Sequence, residues 1–145
     1  MENNINSFSV IGDERGNLVS LEEYKNVPFS IKRVYYLYEL KKELSRGFHA
    51  HKELQQVLVC LKGSCNVLLD DGIKKQLYLL DQPHISIFID QMIWHEMHDF
   101  SEDCVLLVIA SDYYNKTDYL RDYQEFLSHK LIDTDTSLNR KGSVT

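Results

Sequence analysis

Long apolar runs are missing from this chain. No stretch approaches the roughly 18 to 20 consecutive apolar residues that a membrane helix needs, which excludes a helical span. The opening MENNINSFSV carries neither a basic start nor an apolar core, so it does not read as a secretory signal, and the sequence predicts a cytoplasmic protein. Positive charge is also in deficit. A net charge of −6 and a pI near 5.4 argue against broad contact with nucleic acid or an anionic membrane. Any anion site must therefore be a local cluster of arginines. Cysteine is sparse: Cys60, Cys65 and Cys104 form an odd set without CxxC spacing, each inside an apolar run. They read as buried free thiols in a reducing compartment. No repeat, low-complexity tract or linker divides the chain, so 145 residues with 43% hydrophobic content predict one domain over 1–145.

What is present is a succession of short apolar or alternating runs between turn signals, the pattern of a sandwich or barrel. Strands are predicted over Asn17–Glu22, Ile31–Leu40, Gly47–His51, Gln55–Lys62, Ser64–Asp70, Lys74–Leu80, His84–Ile89, His95–Asp99 and Cys104–Ala110. Lys62-Gly63-Ser64, Asp70-Asp71-Gly72 and Asp81-Gln82-Pro83 are the turns between them. Helical spacing appears only near the end, where Tyr119, Leu120, Tyr123, Phe126, Leu127 and Leu131 recur behind the capping candidate Thr117. Beyond it a polar tail, about 132–145, lacks apolar periodicity and is expected to be frayed.

Chemistry concentrates in Arg46-Gly47-Phe48-His49-Ala50-His51. Histidines two apart on a strand emerge on one face and can act on one ligand, with Phe48 and Ala50 packing on the other. An imidazole titrates near working pH, which suits it to removing a proton beside a carbonyl. A partner donor could come from the strand around Arg33, Tyr35, Tyr36 and Tyr38. Arg33 and Tyr35 share a face, although the pattern does not decide which face points inward. The guanidinium forks of Arg15, Arg33 and Arg46 suit a diphosphate.

The order glycine, His49, His51, Gln56, Gly63 resembles the first motif of the cupins, and Trp94-His95 resembles the histidine of the second. The match departs from the pattern where glutamine stands for glutamate at Gln56, and where Asp90 and Met92 replace the usual proline and glycine. A metal site would have three histidines and no carboxylate, short of the usual two-histidine, one-carboxylate iron set. The strings FSIKRVYY, RGFHAHK, QVLVCLKGSC, WHEMHDFS and ASDYY, with Asp13-Glu14-Arg15-Gly16, are more closely similar to the sugar 3,4-ketoisomerases acting on dTDP-4-keto-6-deoxyglucose. That resemblance implies an all-β cupin jelly-roll barrel with a short C-terminal helix, a homodimer exchanging N-terminal strands, no cofactor and no metal. It places the catalytic base on His49, the proton-shuttling tyrosine on Tyr35 and a second pocket histidine on His51. The pair that varies with product configuration falls on Arg15 and His95, and arginine with histidine resembles the branch giving dTDP-3-keto-6-deoxy-D-galactose. Such products lead to 3-amino-3,6-dideoxyhexoses of lipopolysaccharide O-antigens and S-layer glycans. Arg33 and Arg46 are expected on the diphosphate. Competing readings are a dTDP-sugar 3,5-epimerase, a metal-dependent cupin enzyme and a non-enzymatic sugar-binding cupin.

Overall fold

The computed structural model describes residues 4–141. In chain order the elements are β1 (Ile5–Ser7), β2 (Ile11–Asp13), β3 (Gly16–Leu18), β4 (Arg33–Leu37), β5 (Arg46–His51), β6 (Gln56–Lys62), β7 (Cys65–Asp70), β8 (Lys75–Leu80), β9 (Ile85–Ile89), β10 (Trp94–His98), β11 (Val105–Ala110), a 3₁₀ turn (Lys116–Asp118), β12 (Tyr119–Leu120) and helix α1 (Tyr123–Lys141). Two five-stranded sheets, ordered β1-β9-β6-β11-β4 and β12-β5-β10-β7-β8, face each other. They enclose one apolar core and form a cupin-type jelly-roll barrel, while β2 and β3 make a separate hairpin.

Period-two patterning explains the barrel interior. On β7, Cys65, Val67 and Leu69 are buried against Leu58, Cys60, Ile87, Leu106 and Val108 of the opposite sheet. β6 and β11 read as continuous apolar runs because both their faces are covered. The outer residues Val57, Val59 and Ile109 lie beneath Phe8, Val27 and Phe29, so the N-terminal segment forms a third layer. On the other side Ala50, Trp94 and Leu120 pack under Phe126 of α1, which is wholly buried.

Each of the nine predicted strands overlaps a strand of the structure: six enclose it, while β3, β5 and β10 each begin one residue earlier than predicted. Of Asn17–Glu22 only the start is strand; Val19 and Leu21 instead pack without regular pairing over the outer apolar cluster. β1, β2 and β12 are too short to show alternation in the sequence. The predicted helix start is corrected. Tyr119 and Leu120 pair in register with His51 and Ala50 of β5, so their backbone serves the sheet. Thr117 lies in the 3₁₀ turn with its N–H and hydroxyl donated to Asn115, and the cap of α1 is Asp122, whose Oδ1 accepts from Glu125 N–H at 2.9 Å. The polar tail is also corrected: α1 continues through 132–141, and residues 142–145 lie outside the described residues.

Candidate active site

Two consecutive left-handed residues set up the site. Gly47 (φ 90°) and Phe48 (φ 58°) form a bulge on β5, where pairing passes from His95 opposite His49 to Glu96 opposite Gly47. A bulge adds a residue on one strand and re-aims the side chains beyond it. A Cβ on Gly47 would stand 2.8 Å from the His95 carbonyl oxygen, so position 47 needs glycine for space as well as for φ. Ala50 packs outside as expected. Phe48 only half does so: it is 43% exposed, with its ring edge-on to His98 at 5.6 Å between centroids.

Past the bulge, His49 and His51 turn inward and meet His95 of β10. The ring centroids of His49 lie 4.5 Å from His95 and 5.0 Å from His51, and the three imidazoles offer nitrogens within 4.8 Å of one another. His95 enters from a strand whose approach is strained. Met92 adopts φ 58° where the cupin pattern has glycine, and its N–H is held at 2.6 Å by the His51 carbonyl.

Each imidazole is neutral, for a stated reason. His49 is held down to about 4, first by burial, although its contact with the Gly47 carbonyl opposes the shift. Its Nδ1 lies 3.0 Å from that carbonyl oxygen, which can only accept, so Nδ1 carries the proton and Nε2 keeps its lone pair. His95 follows the same logic, with Nδ1 3.1 Å from the Ile93 carbonyl and a pKa held near 3 chiefly by burial. His51 is pushed to about 2 by burial and then by its neighbours His95 and His49. The Asp118 carboxylate lies 3.3 Å from His51 Nδ1 without hydrogen-bond alignment, leaving both ring nitrogens without a partner.

The sequence left the facing of β4 open, and the structure decides it. Arg33, Tyr35 and Leu37 point inward while Val34 and Tyr36 are exposed. Gln56, 2% exposed, donates its amide to the Tyr35 hydroxyl at 2.9 Å. The phenol thus accepts from the protein and keeps its own proton to give. Burial raises its pKa above the usual 10, so it stays protonated at working pH.

Arg33, Tyr35 and His49 line a cleft of about 420 Å³ together with Arg46, Tyr119 and Arg121, and His51 and His95 pack directly against His49. The Arg33 guanidinium stacks 4.7 Å from the Tyr35 ring centroid, and its buried Nε has no partner. An unpaired buried cation donor in a cleft holding two more arginines is an anion site in waiting. Of the predicted residues, the structure brings together His49, His51, His95, Tyr35, Arg33 and Arg46. Arg15 is elsewhere: it sits on the β2–β3 hairpin, its side chain 85% exposed and paired with Asp13.

Sequence reasoning missed Tyr119, Arg121 and Asp118. Tyr119 lies 4.4 Å from the His51 ring and 4.9 Å from His49, with Arg121 stacked on it at 4.4 Å. Reading Tyr119 into a helix hid all three. The signal was the clustering of Tyr, Asp and Arg in Asp118-Tyr119-Leu120-Arg121, which helical periodicity explains poorly.

Three neutral imidazoles could also hold a divalent cation. Two Nε2 lone pairs are free, and such an ion would polarise a bound carbonyl. The carboxylate that completes a cupin ligand set is replaced by Gln56, and its amide is already engaged with Tyr35.

A half-buried neutral imidazole and a protonated phenol, lining one arginine-bearing cleft of a jelly-roll barrel, define a proton-transfer enzyme for an anionic small molecule. The chain belongs to the family described as FdtA: WxcM-like, C-terminal, whose pattern matches residues 1–131, and is a sugar 3,4-ketoisomerase. It is 59% identical over 126 residues to TDP-4-oxo-6-deoxy-alpha-D-glucose-3,4-oxoisomerase of Aneurinibacillus thermoaerophilus, covering 87% of this chain and 91% of that protein. The crystal structure of a 3,4-ketoisomerase from Helicobacter canadensis superposes with a TM-score of 0.87 at 47% identity, over 90% of this chain and 98% of that one. A double mutant of the QdtA 3,4-ketoisomerase from Thermoanaerobacterium thermosaccharolyticum, in complex with TDP, superposes with a TM-score of 0.85 at 42% identity, over 90% and 96%.

Proposed function

We propose that this enzyme converts dTDP-4-keto-6-deoxy-D-glucose to dTDP-3-keto-6-deoxy-D-galactose by metal-free proton transfer. The observation that carries the reading is His49: its Nδ1 is tied to a backbone carbonyl, and its Nε2 lone pair is left free in the cleft. His49 removes the proton from C3, and the electron pair forms an enediolate across C3 and C4. Tyr35 gives its proton to the oxygen at C4 and takes one from the oxygen at C3. Reprotonation at C4 leaves the ketone at C3. His51 and the Tyr119 hydroxyl have N–H and O–H groups to offer the developing charge, while His95, its proton held by the Ile93 carbonyl, packs against His49 and fixes its ring. Arg33, Arg46 and Arg121 hold the diphosphate, and the orphaned Arg33 Nε gains a partner only when an anion arrives.

The galacto outcome rests on Arg15 with His95. The QdtA double mutant changes a tyrosine to arginine and an arginine to histidine, the same two residue types that this chain carries naturally. Arg15 does not line the cleft of its own chain, and we infer that it enters the pocket of another copy. A homodimer exchanging N-terminal strands would supply it. Ile11 (68% exposed) and Leu18 (56%) on a hairpin that joins neither five-stranded sheet, and Val34 and Tyr36 bare on the edge strand β4, support that exchange. The product then feeds an aminotransferase that makes a 3-amino-3,6-dideoxyhexose.

Incubation of dTDP-4-keto-6-deoxyglucose with the enzyme in heavy water tests the chemistry. A single deuterium at C4 of a galacto-configured 3-ketone is expected, whereas deuterium at C3 and C5 of a 4-ketone would identify an epimerase. Full turnover after exhaustive chelation is expected, and its loss with rescue by one metal would replace the metal-free scheme. Refolding Arg15→Ala with His49→Asn tests the exchange: heterodimers carry one intact pocket, so activity should return to roughly a quarter of wild type. Mixtures no better than the separate variants would remove Arg15 from the partner's pocket.

A further inference from the structure

At the end of the barrel away from the histidines, three thiols converge. Cys60 near the end of β6, Cys65 at the start of β7 and Cys104 just before β11 place their sulfurs within 4.8 Å of one another, each residue 1% exposed. The Cys60 and Cys104 sulfurs are 3.7 Å apart. We propose that this trithiol cluster is a binding site for a soft, thiophilic metal cation of the class that contains Zn²⁺, Cd²⁺ and Cu⁺.

Geometry supports the assignment. A cation with metal–sulfur bonds of about 2.3 Å spaces three thiolates about 3.8 to 4.0 Å apart, so the cluster needs only a small contraction to close on an ion. Chemistry narrows the class. Three sulfurs select a soft ion that sheds water readily and exclude Mg²⁺ and Ca²⁺, which demand oxygen. The Cys60 thiol is drawn down to about 7, first by its hydrogen bond with Cys65, while the same contact and burial push Cys65 up, and burial chiefly raises Cys104 to about 12. Binding releases the thiol protons: three Cys–SH and M²⁺ give M(S–Cys)₃⁻ and three H⁺.

A route exists. A groove of about 780 Å³ at the same end is walled by Leu40 and Phe100, which also pack against the cysteines in the core. Glu39, Glu43, Asp99 and Glu102 line it against Lys41 and Lys42, giving it an excess of negative charge that concentrates cations. The bound ion would tie the β6–β7 turn to the start of β11. That turn is already close-packed, since a Cβ on Gly63 would meet the Cys104 Cα at 3.0 Å.

Cd²⁺ added to the reduced wild-type enzyme is the probe, read by thiolate-to-metal charge-transfer absorption, proton release and thermal midpoint. The band should plateau at one equivalent per chain, with the midpoint rising as Cd²⁺ increases. It should persist in His49→Asn and vanish in Cys65→Ala, which should keep wild-type turnover without metal. Cadmium bound without the band, or a band unchanged in Cys65→Ala, overturns the site. Should that variant not fold, alkylation of the wild-type thiols decides: slowing of all three by Cd²⁺ supports the site, and unaltered rates refute it.

Discussion

One strand, β6, runs through two environments. Its inward residues are Gln56, Leu58 and Cys60, and over the four residue steps from 56 to 60, roughly 13 Å, the barrel passes from a polar mouth to an apolar floor. At the mouth, buried polar atoms stand unpaired, namely Arg33 Nε and both His51 nitrogens. At the floor, Leu58, Leu106 and Phe100 are 1% exposed or less and need no polar partner. The floor is built for stability. The mouth holds groups that cost free energy until substrate satisfies them, which is what a preorganised site requires.

Substitutions at the two ends should therefore move opposite quantities. The largest effect is expected for His49→Asn, which should lower kcat by about 10²- to 10⁴-fold with a smaller change in KM, measured by product formation against substrate concentration. Retention of wild-type kcat would take His49 out of the chemistry. At the floor, Leu106→Ala should cost about 2 to 5 kcal/mol in chemical denaturation while sparing kcat at temperatures where the enzyme stays folded. His51→Leu should separate the ends most clearly. It removes two orphaned nitrogens and should raise stability by about 1 to 3 kcal/mol while depressing turnover, and a destabilised variant would mean that His51 is satisfied in the free enzyme.

Titration sharpens the same contrast. In the unfolded chain the pocket histidines titrate near 6.5, whereas in the folded enzyme His49 titrates near 4, His95 near 3 and His51 near 2. Below 6.5 the unfolded chain binds more protons, so stability should fall as pH drops from 6.5 towards 4, by about 1.4 kcal/mol per unit for each imidazole. Above 6.5 these groups add no slope. Urea midpoints across that range measure it. The acid limb of kcat/KM should likewise lie nearer 4 than 6.5. The smallest effect is expected for Gln56→Leu. Losing one hydrogen bond to Tyr35 should reduce kcat by about tenfold, with little change in the acid limb.

The barrel strands and their turns were legible because alternation and Asp-Gly or Gly-Ser turns are local signals, spent within a few residues of one another. So was the shared facing of His49 and His51, which follows from period two. The same local logic failed at Tyr119 and Leu120, whose apolar spacing continues into α1 while their hydrogen bonds go to β5. Arg15 shows a different limit: its neighbours in sequence suggest a pocket residue, and its place on a detached hairpin leaves it outside the lining of the cleft.

By itself, then, the chain's patterning determined a sandwich or barrel of short strands, its turns and the shared facing of the histidine pair, since each depends on residues close together in the chain. Only tertiary structure decided that Gln56 serves Tyr35, that Tyr119 and Arg121 join the cleft, and that three scattered cysteines meet. Those contacts join strands that are neighbours in space after the barrel closes, and no spacing along the chain encodes the distance between them.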